Sequence, residues 1–481
     1  MRKSDVDRVN HGWAKTPEMT NAGWGDTIVA LATAPGRSAI AVVRMSGERA
    51  MELAALHVVP WPIEPRVVTL SSVHDRGDCK DGNLDVLDQA LVTVFVKPDS
   101  YTGEDLVEIF SHGGNYTPAR IMAALISSGA RPALPGEFSR RAVMNGKMDI
   151  TQAEAIGDLI DARSTAMHRA AIDQLDGGLS RRVGALREAV IGMESLIAYD
   201  IDFPEEDEGP VASHRIGDAA RALLASLDAL LATVPAGELI REGAVVVIAG
   251  APNAGKSSLF NAILGKSRSI VTEHPGTTRD AIEGHAETLH WPVRLVDTAG
   301  LRDTEDTIER LGIEVSERYL GEAHVVLACG DSEDSVCRTL GVVSGKSPGM
   351  SIGVRTKSDL VSAAERQQAE SGEDKSRIFV SAETGQGLDT LLQSIDEALT
   401  ETVGGVVAEY PALRRRRHIS GIQRARDEIA RFSDAWADGG LPAPVAAVHL
   451  RAAAISLEDL IGAVSTDDVL DRVFSSFCVG K

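Results

Sequence analysis

The sequence contains few cysteines, and their arrangement does not suit metal binding. Its 481 residues include only Cys79, Cys329, Cys337 and Cys478, which are scattered without a CxxC pair. Structural zinc sites need paired Cys or His ligands at short spacing, so none is expected. Scattered single cysteines are typical of a reducing compartment, and we expect a cytoplasmic protein.

Long apolar runs and a secretory leader are also missing. No stretch is long and apolar enough to predict a membrane span. Arg2 and Lys3 are not followed by an apolar core, which excludes a secretory signal in residues 1–25. That segment is polar, contains Pro17 and lacks periodicity, so we expect a disordered extension.

Basic residues are outnumbered by acidic ones. The chain has 49 Lys and Arg against 70 Asp and Glu, a formal net charge of −21. Broad electrostatic binding of nucleic acid requires clustered Lys and Arg and is not expected. Residues 404–481 hold ten basic and ten acidic residues, so the acidic excess lies upstream and any RNA contact must be local. An acidic surface can also serve solubility alone.

Hydrophobic patterning divides the chain into segments of different texture. Residues 26–144 alternate short β-rich runs with glycine-bearing loops, which predicts an α/β domain. Residues 145–240 and 404–481 show long helical periodicity, for example the apolar stripe from Leu179 to Ile197. Residues 241–403 contain short apolar runs between helical segments, as in a doubly wound parallel sheet. We therefore predict a multidomain α/β plus all-α protein, with a Ras-like α/β module inserted between two halves of a helical domain.

Two helix boundaries are predicted within the first helical segment. Thr151 and Glu154 have the spacing of a capping box, in which the Thr hydroxyl and the Glu carboxylate satisfy amides of the first turn. The run from Asp202 to Asp207 should end the long helix.

A glycine-rich loop follows the first apolar run of the inserted module. Gly250 to Ser257 match GxxxxGK(S/T), directly after an apolar strand and before an apolar helix. In that context backbone amides surround phosphate oxygens, Lys256 neutralises their charge and Ser257 ligates Mg²⁺. The expected nucleotide contacts here are Asn253, Ala254, Gly255, Lys256, Ser257 and Ser258.

Three further motifs follow in the order typical of a guanine-nucleotide site. Asp297 to Gly300 follows a strand, so the carboxylate can hold Mg²⁺ through water and the Gly300 amide can sense the γ-phosphate. Asp359 can pair with the guanine N1–H and exocyclic amine, which adenine lacks. Thr356 stands where Asn is usual and should weaken the tie between this loop and the phosphate loop. The last of the three motifs, Ser381 to Gly385, supplies a backbone contact to guanine. The remaining expected nucleotide contacts are Thr272, Thr277, Thr278, Thr298, Ala299, Lys357, Ser381 and Ala382.

Candidate catalytic groups lie in the phosphate loop, in the loop after the following helix and just beyond Gly300. Thr278 is placed to complete the Mg²⁺ shell. Leu301 occupies the position where small GTPases carry the Gln that orients water, so catalytic help must come from elsewhere. Asn253, with carbonyl oxygens of residues 272–277, could hold a monovalent cation. Glu309 could order water, although its spacing alone favours a solvated surface residue.

Separate motifs along the whole chain resemble one family. They are Asp26–Ala30, Arg44–Gly47, Tyr101–Asp105, His112–Gly114, Pro135–Ser139, Asn145–Lys147, Gln152–Ala155 and Phe474–Lys481. From residue 26 to residue 481 the sequence resembles the tRNA-modification GTPases called MnmE or TrmE. Residues 1–25 and Val143, where the family usually has Phe, depart from the pattern.

The resemblance implies cofactors and site residues. The N-terminal domain would form a homodimer and bind 5,10-methylene- or 5-formyl-tetrahydrofolate. The implied folate contacts are Arg44, Glu108, Lys147 and Lys481. The GTPase modules would pair across their switch faces with K⁺ in the arginine-finger role. The implied K⁺ ligands are Asn253, Thr272, His274 and Thr277, and Glu309 matches the catalytic glutamate.

The resemblance also implies a reaction and a partner. With the FAD- and NADH-dependent protein MnmG (GidA), in a heterotetramer, such GTPases add an aminomethyl or carboxymethylaminomethyl group to C5 of the wobble uridine of certain tRNAs. Cys478 is a candidate for a role in that chemistry. A near-terminal Cys beside Phe474 and Phe477 is equally often a small hydrophobe.

Two other classes of function remain open from the sequence. A regulatory GTPase of ribosome assembly would share the nucleotide module, but it predicts an RNA-binding domain of the KH type and no folate motifs. A folate-dependent transferase with a degenerate nucleotide module would not need intact Lys256, Ser257, Thr278 and Asp297. The candidate catalytic residues are Glu309, Asn253, Lys256, Thr278 and Cys478.

Overall fold

The chain forms two compact units. The computed structural model describes residues 25–75, 85–202, 213–266, 282–297, 318–361, 377–403, 412–437, 443–462, 473, 474, 477 and 480. One unit comprises residues 1–154 with 463–481, and the other comprises residues 155–462. The boundaries predicted from the sequence were residue 144 for the end of the first domain and residues 404–481 for the second half of the helical domain.

The first unit contains a seven-stranded sheet. Its strands are β1 (Ile28–Leu31), β2 (Ile40–Ser46), β3 (Val58–Val59), β4 (Thr69–Asp75), β5 (Asp85–Phe95), β6 (Leu106–His112) and β7 (Arg131–Pro132). Its helices are α1 (Ala50–His57), α2 (Thr117–Ser127) and α3 (Glu137–Met144). The strand order is β3-β4-β5-β6-β2-β1-β7, and only β1 and β7 pair in parallel. The predicted α/β character of this segment is confirmed.

One face of this sheet packs against helices and the other carries an apolar row. Met45 of β2 and Val92 of β5 are buried with Leu53 of α1 and Ile121 of α2. On the opposite face, β-sheet register places four apolar side chains side by side across four strands. This outer apolar row consists of Leu70, Leu91, Phe110 and Val42. Leu70 is 64% exposed and Leu91 is 43% exposed.

Five helices open the second unit. They are α4 (Ile150–Asp161), α5 (Thr165–Leu175), α6 (Gly178–Asp202), α7 (Ser213–Leu231) and α8 (Val234–Glu242). Helix α4 begins within the first unit and continues into the second. The predicted stripe along α6 is confirmed, since all six of its residues are buried. They are Leu179, Val183, Leu186, Val190, Met193 and Ile197.

The predicted capping box of α4 is wrong by two residues. The Asp149 Oδ1 accepts from the amide of Gln152 at 2.9 Å, and the Gln152 Oε1 accepts from the amide of Asp149 at 3.0 Å. The reciprocal pair is therefore Asp149 with Gln152, and helix α4 starts at Ile150. The Thr151 hydroxyl donates to the same Asp149 carboxylate at 2.6 Å. Ile150, Thr151 and Glu154 are all buried.

The expectation that no apolar run reaches membrane-spanning length is corrected at one place. His214–Glu242, which covers most of α7 and all of α8, is long and apolar enough by length and composition. Core helices of soluble proteins pass the same test. Five residues of α7 are buried in the helical core: Ile216, Ala220, Leu223, Leu227 and Leu230. This run therefore carries no membrane assignment.

A six-stranded sheet forms the centre of the inserted module. Its strands are β8 (Ala244–Gly250), β9 (Ile282–Glu287), β10 (Pro292–Asp297), β11 (Val325–Gly330), β12 (Met350–Arg355) and β13 (Arg377–Phe379). The helices are α9 (Lys256–Lys266), α10 (Glu333–Val343) and α11 (Leu388–Thr402). The order is β13-β12-β11-β8-β10-β9, parallel except for the antiparallel edge strand β9. The predicted parallel strands are confirmed, and β9 was not predicted.

Helices that precede the module in the chain share one core with helices that follow it. The helices that follow it are α12 (Arg416–Ala437) and α13 (Ala443–Ile461). Ile422 and Phe432 of α12 and Leu457 of α13 are buried with the stripes of α6 and α7. The chain returns from the module close to where it entered, because the amide of Leu413 donates to Thr233 Oγ1 at 3.1 Å.

Arginines of a run that begins just before α12 bind groups on other helices of the second unit. Arg414 is buried and donates to the carbonyl of Ala170 at 2.9 Å and to Gln174 Oε1 at 2.8 Å, both on α5. Arg415 pairs with Asp158 of α4 at 2.5 Å. These arginines hold helices of the two halves together.

Candidate nucleotide-binding site

The predicted phosphate loop connects the end of β8 to the start of α9. Lys256 is the first residue of α9 and is only 7% exposed. Its Nζ donates to the carbonyl of Ala251 at 2.9 Å, so the ammonium group lies back over the loop. The free amides of a helix N-terminus and this cation favour bound phosphate. Asn253, at the tip of the loop, is exposed and has a left-handed φ of 61°.

Two candidate Mg²⁺ groups meet beside this loop. β8 and β10 are parallel neighbours, which brings Asp297 to the same edge of the sheet as the start of α9. The Ser257 hydroxyl donates to Asp297 Oδ2 at 2.7 Å. Hydroxyl and carboxylate oxygens are the ligands that Mg²⁺ prefers, and in such sites it keeps several waters. The pair therefore fits a magnesium ion held partly through water.

Thr356 connects the loop that carries Asp359 to the phosphate loop by hydrogen bonds, although Asn is the usual residue at this position. Its side chain is buried, and its hydroxyl lies 2.7 Å from the carbonyl of Ala254 and 3.1 Å from the carbonyl of Gly330. The Thr356 amide also donates to Gly330 at 2.9 Å.

The loop after Thr356 borders a cavity of about 290 Å³. Asp359 and Ala382 lie on two different loops that line it. These loops are joined, since the amide of Ser358 donates to the carbonyl of Val380 at 3.1 Å. Ser381 is fully buried, and its hydroxyl accepts from the amide of Thr384 at 3.2 Å. The cavity thus combines two carboxylates, Asp359 and Glu383, with backbone groups of hydrogen-bonded loops.

Several residues in or beside the cavity were not predicted. Gly330, at the end of β11, does not line the cavity but supplies a carbonyl that accepts from Thr356. Leu360 and Val380 line the cavity, as does Glu383 of the predicted Ser381–Gly385 motif. Ligands of open α/β sheets bind outside the carboxyl ends of the strands, so the ends of β11 and β13 were the available signal.

Cys329 lies beneath the phosphate loop and takes no part in chemistry there. It is fully buried and pairs in register with Gly250. Burial raises the pKa of its thiol to about 12. A protonated, inaccessible thiol is a packing residue.

Part of the predicted site lies outside the described residues. This group contains the loop that would hold K⁺, the residues after Asp297, the candidate catalytic glutamate and two residues at the end of the chain. They are Thr272, His274, Thr277, Thr278, Thr298, Ala299, Gly300, Glu309, Cys478 and Lys481.

The candidate folate residues of the first unit are only partly brought together. Arg44 and Glu108 are cross-strand neighbours on β2 and β6, and Arg44 Nη2 lies 2.7 Å from Glu108 Oε1. The guanidinium carbon of Arg44 lies 5.3 Å from the ring centre of Tyr101. Lys147 is exposed just beyond α3, and a Cβ at Gly103 would lie 3.3 Å from its Cγ.

The fold and site define a P-loop nucleotide-binding protein of the GTPase class. A family model described as the MnmE helical domain matches residues 150–478, and one described as the GTP-binding protein TrmE N-terminus matches residues 27–147. The chain belongs to the MnmE (TrmE) family of tRNA modification GTPases.

Curated relatives named tRNA modification GTPase MnmE cover almost the whole chain. That of Moorella thermoacetica is 39% identical over 465 residues, and that of Thermus thermophilus is 40% identical over 458 residues. Each alignment covers 95% of this chain and 99% of the relative. Among solved structures, the G domain of the T. maritima FeoB iron transporter covers 33% of this chain and 97% of its own at 24% identity and a TM-score of 0.23, too low a likeness to inform the fold.

We expect Thr356→Val to weaken GDP binding roughly tenfold. Valine keeps the shape but removes the hydroxyl that holds the loop to Ala254, at a cost of about 1 to 2 kcal/mol. Thr356→Ser retains the donor and should bind GDP nearly as the wild type does. Titration with a fluorescent GDP analogue measures both, and equal affinity of the Val and Ser variants would remove the hydroxyl from the loop's function.

Proposed function

We propose that this chain binds and hydrolyses GTP and that hydrolysis serves tRNA modification in the cytoplasm. The observation that carries this is the meeting of Lys256, the Ser257–Asp297 pair and Thr356 at one sheet edge, next to a cavity lined by Asp359. The curated relatives that match 95% of the chain are named tRNA modification GTPases.

The described residues have distinct tasks in this proposal. The amides before α9 and the Lys256 ammonium bind and orient the phosphates of GTP. Asp359 accepts from the guanine edge, while Thr356 keeps its loop in register with the phosphates. Ser257 and Asp297 would hold a magnesium ion, which neutralises charge on the β- and γ-phosphates when bound.

The catalytic groups proposed beyond these supply charge and order water. Thr278 would be a further magnesium ligand, and Glu309 would order water for attack, since Leu301 cannot. Potassium, when bound, would supply positive charge in place of an arginine. Its proposed ligands are Asn253, Thr272, His274 and Thr277. The exposed, left-handed position of Asn253 at the tip of the phosphate loop supports this role.

Hydrolysis is expected to be about tenfold or more faster in potassium than in sodium chloride at equal ionic strength. The physical reason is that a fixed cation at the γ-phosphate stabilises charge that develops in the transition state. Asn253→Ala should abolish the preference and still bind GDP. Phosphate release measured in both salts decides this, and equal wild-type rates would exclude the potassium site.

The first unit is proposed to bind the one-carbon donor, 5,10-methylene- or 5-formyl-tetrahydrofolate. The proposed contacts are Arg44, Glu108, Lys147 and Lys481. A carboxylate can pair with the aminopyrimidine edge of a pterin, and cations suit its oxygen or the glutamate tail. The Arg44–Glu108 pair at 2.7 Å supports a preformed polar site. The FAD-dependent protein MnmG would supply redox chemistry in a heterotetramer that modifies C5 of wobble uridine.

The proposed homodimer would form through the first unit. The outer apolar row places Leu70 and Leu91 on an open sheet face, with the half-buried Phe110 and Val42 beside them. A second copy presents the same row, and a two-fold axis makes such a patch self-complementary.

We also propose the domain boundaries expected from the sequence. These are an extension at 1–25, a folate-binding and dimerisation domain at 26–144, helical halves at 145–240 and 404–481, and a GTPase domain at 241–403. Burial of α6, α7, α12 and α13 in one core supports a helical domain made of two halves.

Nucleoside analysis of tRNA from cells lacking this gene tests the function as a whole. We expect the C5 modification of wobble uridine to disappear and to return with the wild-type gene, but not with a Lys256→Ala gene. Normal tRNA with accumulated ribosomal precursors would instead favour a GTPase of ribosome assembly.

A further inference from the structure

Phe474, near the end of the chain, sits on a glycine of the first unit. Gly136 directly precedes α3 and has a left-handed φ of 67°. A Cβ at this position would lie 2.8 Å from the carbonyl oxygen of Phe474 and 2.9 Å from its Cβ. The Phe474 side chain is 1% exposed and packs with Ile150 and Ala153. Only a residue without a side chain permits this seat.

Gly480 forms a second close contact with the same unit. Its φ is 100°, and a Cβ there would lie 2.4 Å from the carbonyl oxygen of Leu31 and 2.9 Å from the Cα of Ala32. The backbone of Gly480 therefore touches the end of β1 directly. Arg44 Nη1 donates to the Gly480 carbonyl at 3.4 Å.

The side chain of Arg44 is oriented by contacts other than its hydrogen bond to Gly480. Its Nε and Nη2 donate to Glu108 at 2.8 and 2.7 Å. Its guanidinium also lies over the rings of Tyr101 and Phe138, at 5.3 and 5.8 Å from their centres. The Tyr101 hydroxyl is held by Ser139 at 2.7 Å. A planar guanidinium fixed on three sides offers its remaining donors in one direction.

We propose that Gly136 and Arg44 are positioning residues that seat the C-terminal segment on the first unit. Gly136 receives Phe474, and Arg44 holds the carbonyl of Gly480. Six residue steps separate these anchors, a reach of roughly 20 Å at most. Both anchors hold the backbone against the first unit, at residues 474 and 480, and Gly480 carries the peptide bond to Lys481. The further expectation that these anchors affect folate binding rests on the proposed function.

Matched glycine variants test the seat in the full-length protein. Gly136→Ala and Gly146→Ala place alanine at nearly the same left-handed φ, 67° and 68°, at the two ends of α3. A methyl at Gly146 meets nothing within 4 Å among the described residues. Both variants place alanine at a left-handed φ that disfavours it, and only Gly136→Ala also collides with Phe474.

A carboxypeptidase specific for basic residues releases Lys481, and the rate of release measures how firmly the C-terminal segment is held. We expect Gly136→Ala to speed release about tenfold or more and Gly146→Ala to stay near the wild-type rate. Phe474→Ala should also speed release, and adding it to Gly136→Ala should cause little further change, because both act on one contact. Equal rates in the two glycine variants, or no change in either, would overturn the seat.

Titration with 5-formyl-tetrahydrofolate tests whether the seat serves the site. Gly136→Ala should weaken binding as much as deletion of Lys481 does, while GTP turnover stays unchanged. Arg44→Lys, which keeps the charge but loses the planar fork, should release the tail more readily than the wild type. Released tail with unchanged folate affinity would overturn the positioning role. If the wild type binds no folate, the donor proposal fails, and the carboxypeptidase result still decides the seat.

Discussion

Replacing Asp359 with Asn is expected to weaken GDP binding by roughly 10²- to 10⁴-fold. The carboxylate can accept from both the N1–H and the exocyclic amine of guanine, two charge-assisted bonds of about 1.5 to 3 kcal/mol each. An amide in its place would direct an N–H group at a guanine donor. Since Asp359 lines the cavity beside Ala382 and the phosphate loop, the loss should fall on base recognition.

The same substitution should change the preferred base. Xanthine carries a carbonyl where guanine carries the amine, so the Asn amide can donate to it, and Asp359→Asn should favour xanthosine diphosphate over GDP. Competition of a labelled GDP analogue by GDP, ADP and xanthosine diphosphate measures this. Glu383→Gln is the matched control, because it removes another carboxylate from the same cavity. A similar loss in both variants would point to charge rather than to base pairing.

Lys256→Ala is expected to lower GTP turnover by about 10²- to 10³-fold. A single preorganised charge beside the reacting phosphate contributes on this scale. Lys256 is nearly buried and lies over the loop at 2.9 Å from the Ala251 carbonyl, so water can replace it poorly. Single-turnover hydrolysis at saturating GTP separates this effect from weaker binding.

Lys266→Ala is the control for that variant. Lys266 is the last residue of the same helix α9 and pairs on the surface with Asp389 at 2.7 Å. Exposed pairs contribute little, so its turnover should match the wild type. Lys256→Ala with normal turnover would mean that the phosphates bind elsewhere.

The strands of the inserted module were predictable because burial on both faces makes them continuous apolar runs. β8 and β11 are buried along almost their entire length, and their sequences show it directly. β9 was missed because Ile282–Glu287 is an antiparallel edge strand with polar residues and a glycine. Its pairing with β10 is a tertiary fact without a strong local pattern.

The tie made by Thr356 could not be predicted from its identity. A shorter side chain than Asn should fall short of the phosphate loop at ordinary spacing. In the structure the Thr356 hydroxyl nevertheless reaches the carbonyl of Ala254 at 2.7 Å, a distance that depends on how the two loops pack. The start of α4 was also ambiguous from the sequence. Asp149 with Gln152 and Thr151 with Glu154 both have the spacing of a capping box.

The arginine run before α12 illustrates a different limit. Adjacent arginines in a sequence are typical of a surface that binds anions. Arg414 and Arg415 instead join α12 to α4 and α5, and Arg417 donates to the carbonyls of Asp459 and Leu460. Which backbone carbonyls an arginine can reach depends on how the helices pack, and the local sequence does not specify this packing.

The contact between Thr233 and Leu413 bears on the order in which the second unit folds. These residues are 180 positions apart, and closing so long a flexible loop costs about 4 to 5 kcal/mol in chain entropy. A folded module whose ends emerge side by side acts as a loop of roughly ten residues, which lowers the cost by about 2 to 3 kcal/mol. The nucleotide module should therefore fold before the helical halves join. Loosening it should also destabilise a helical core that loses none of its own contacts.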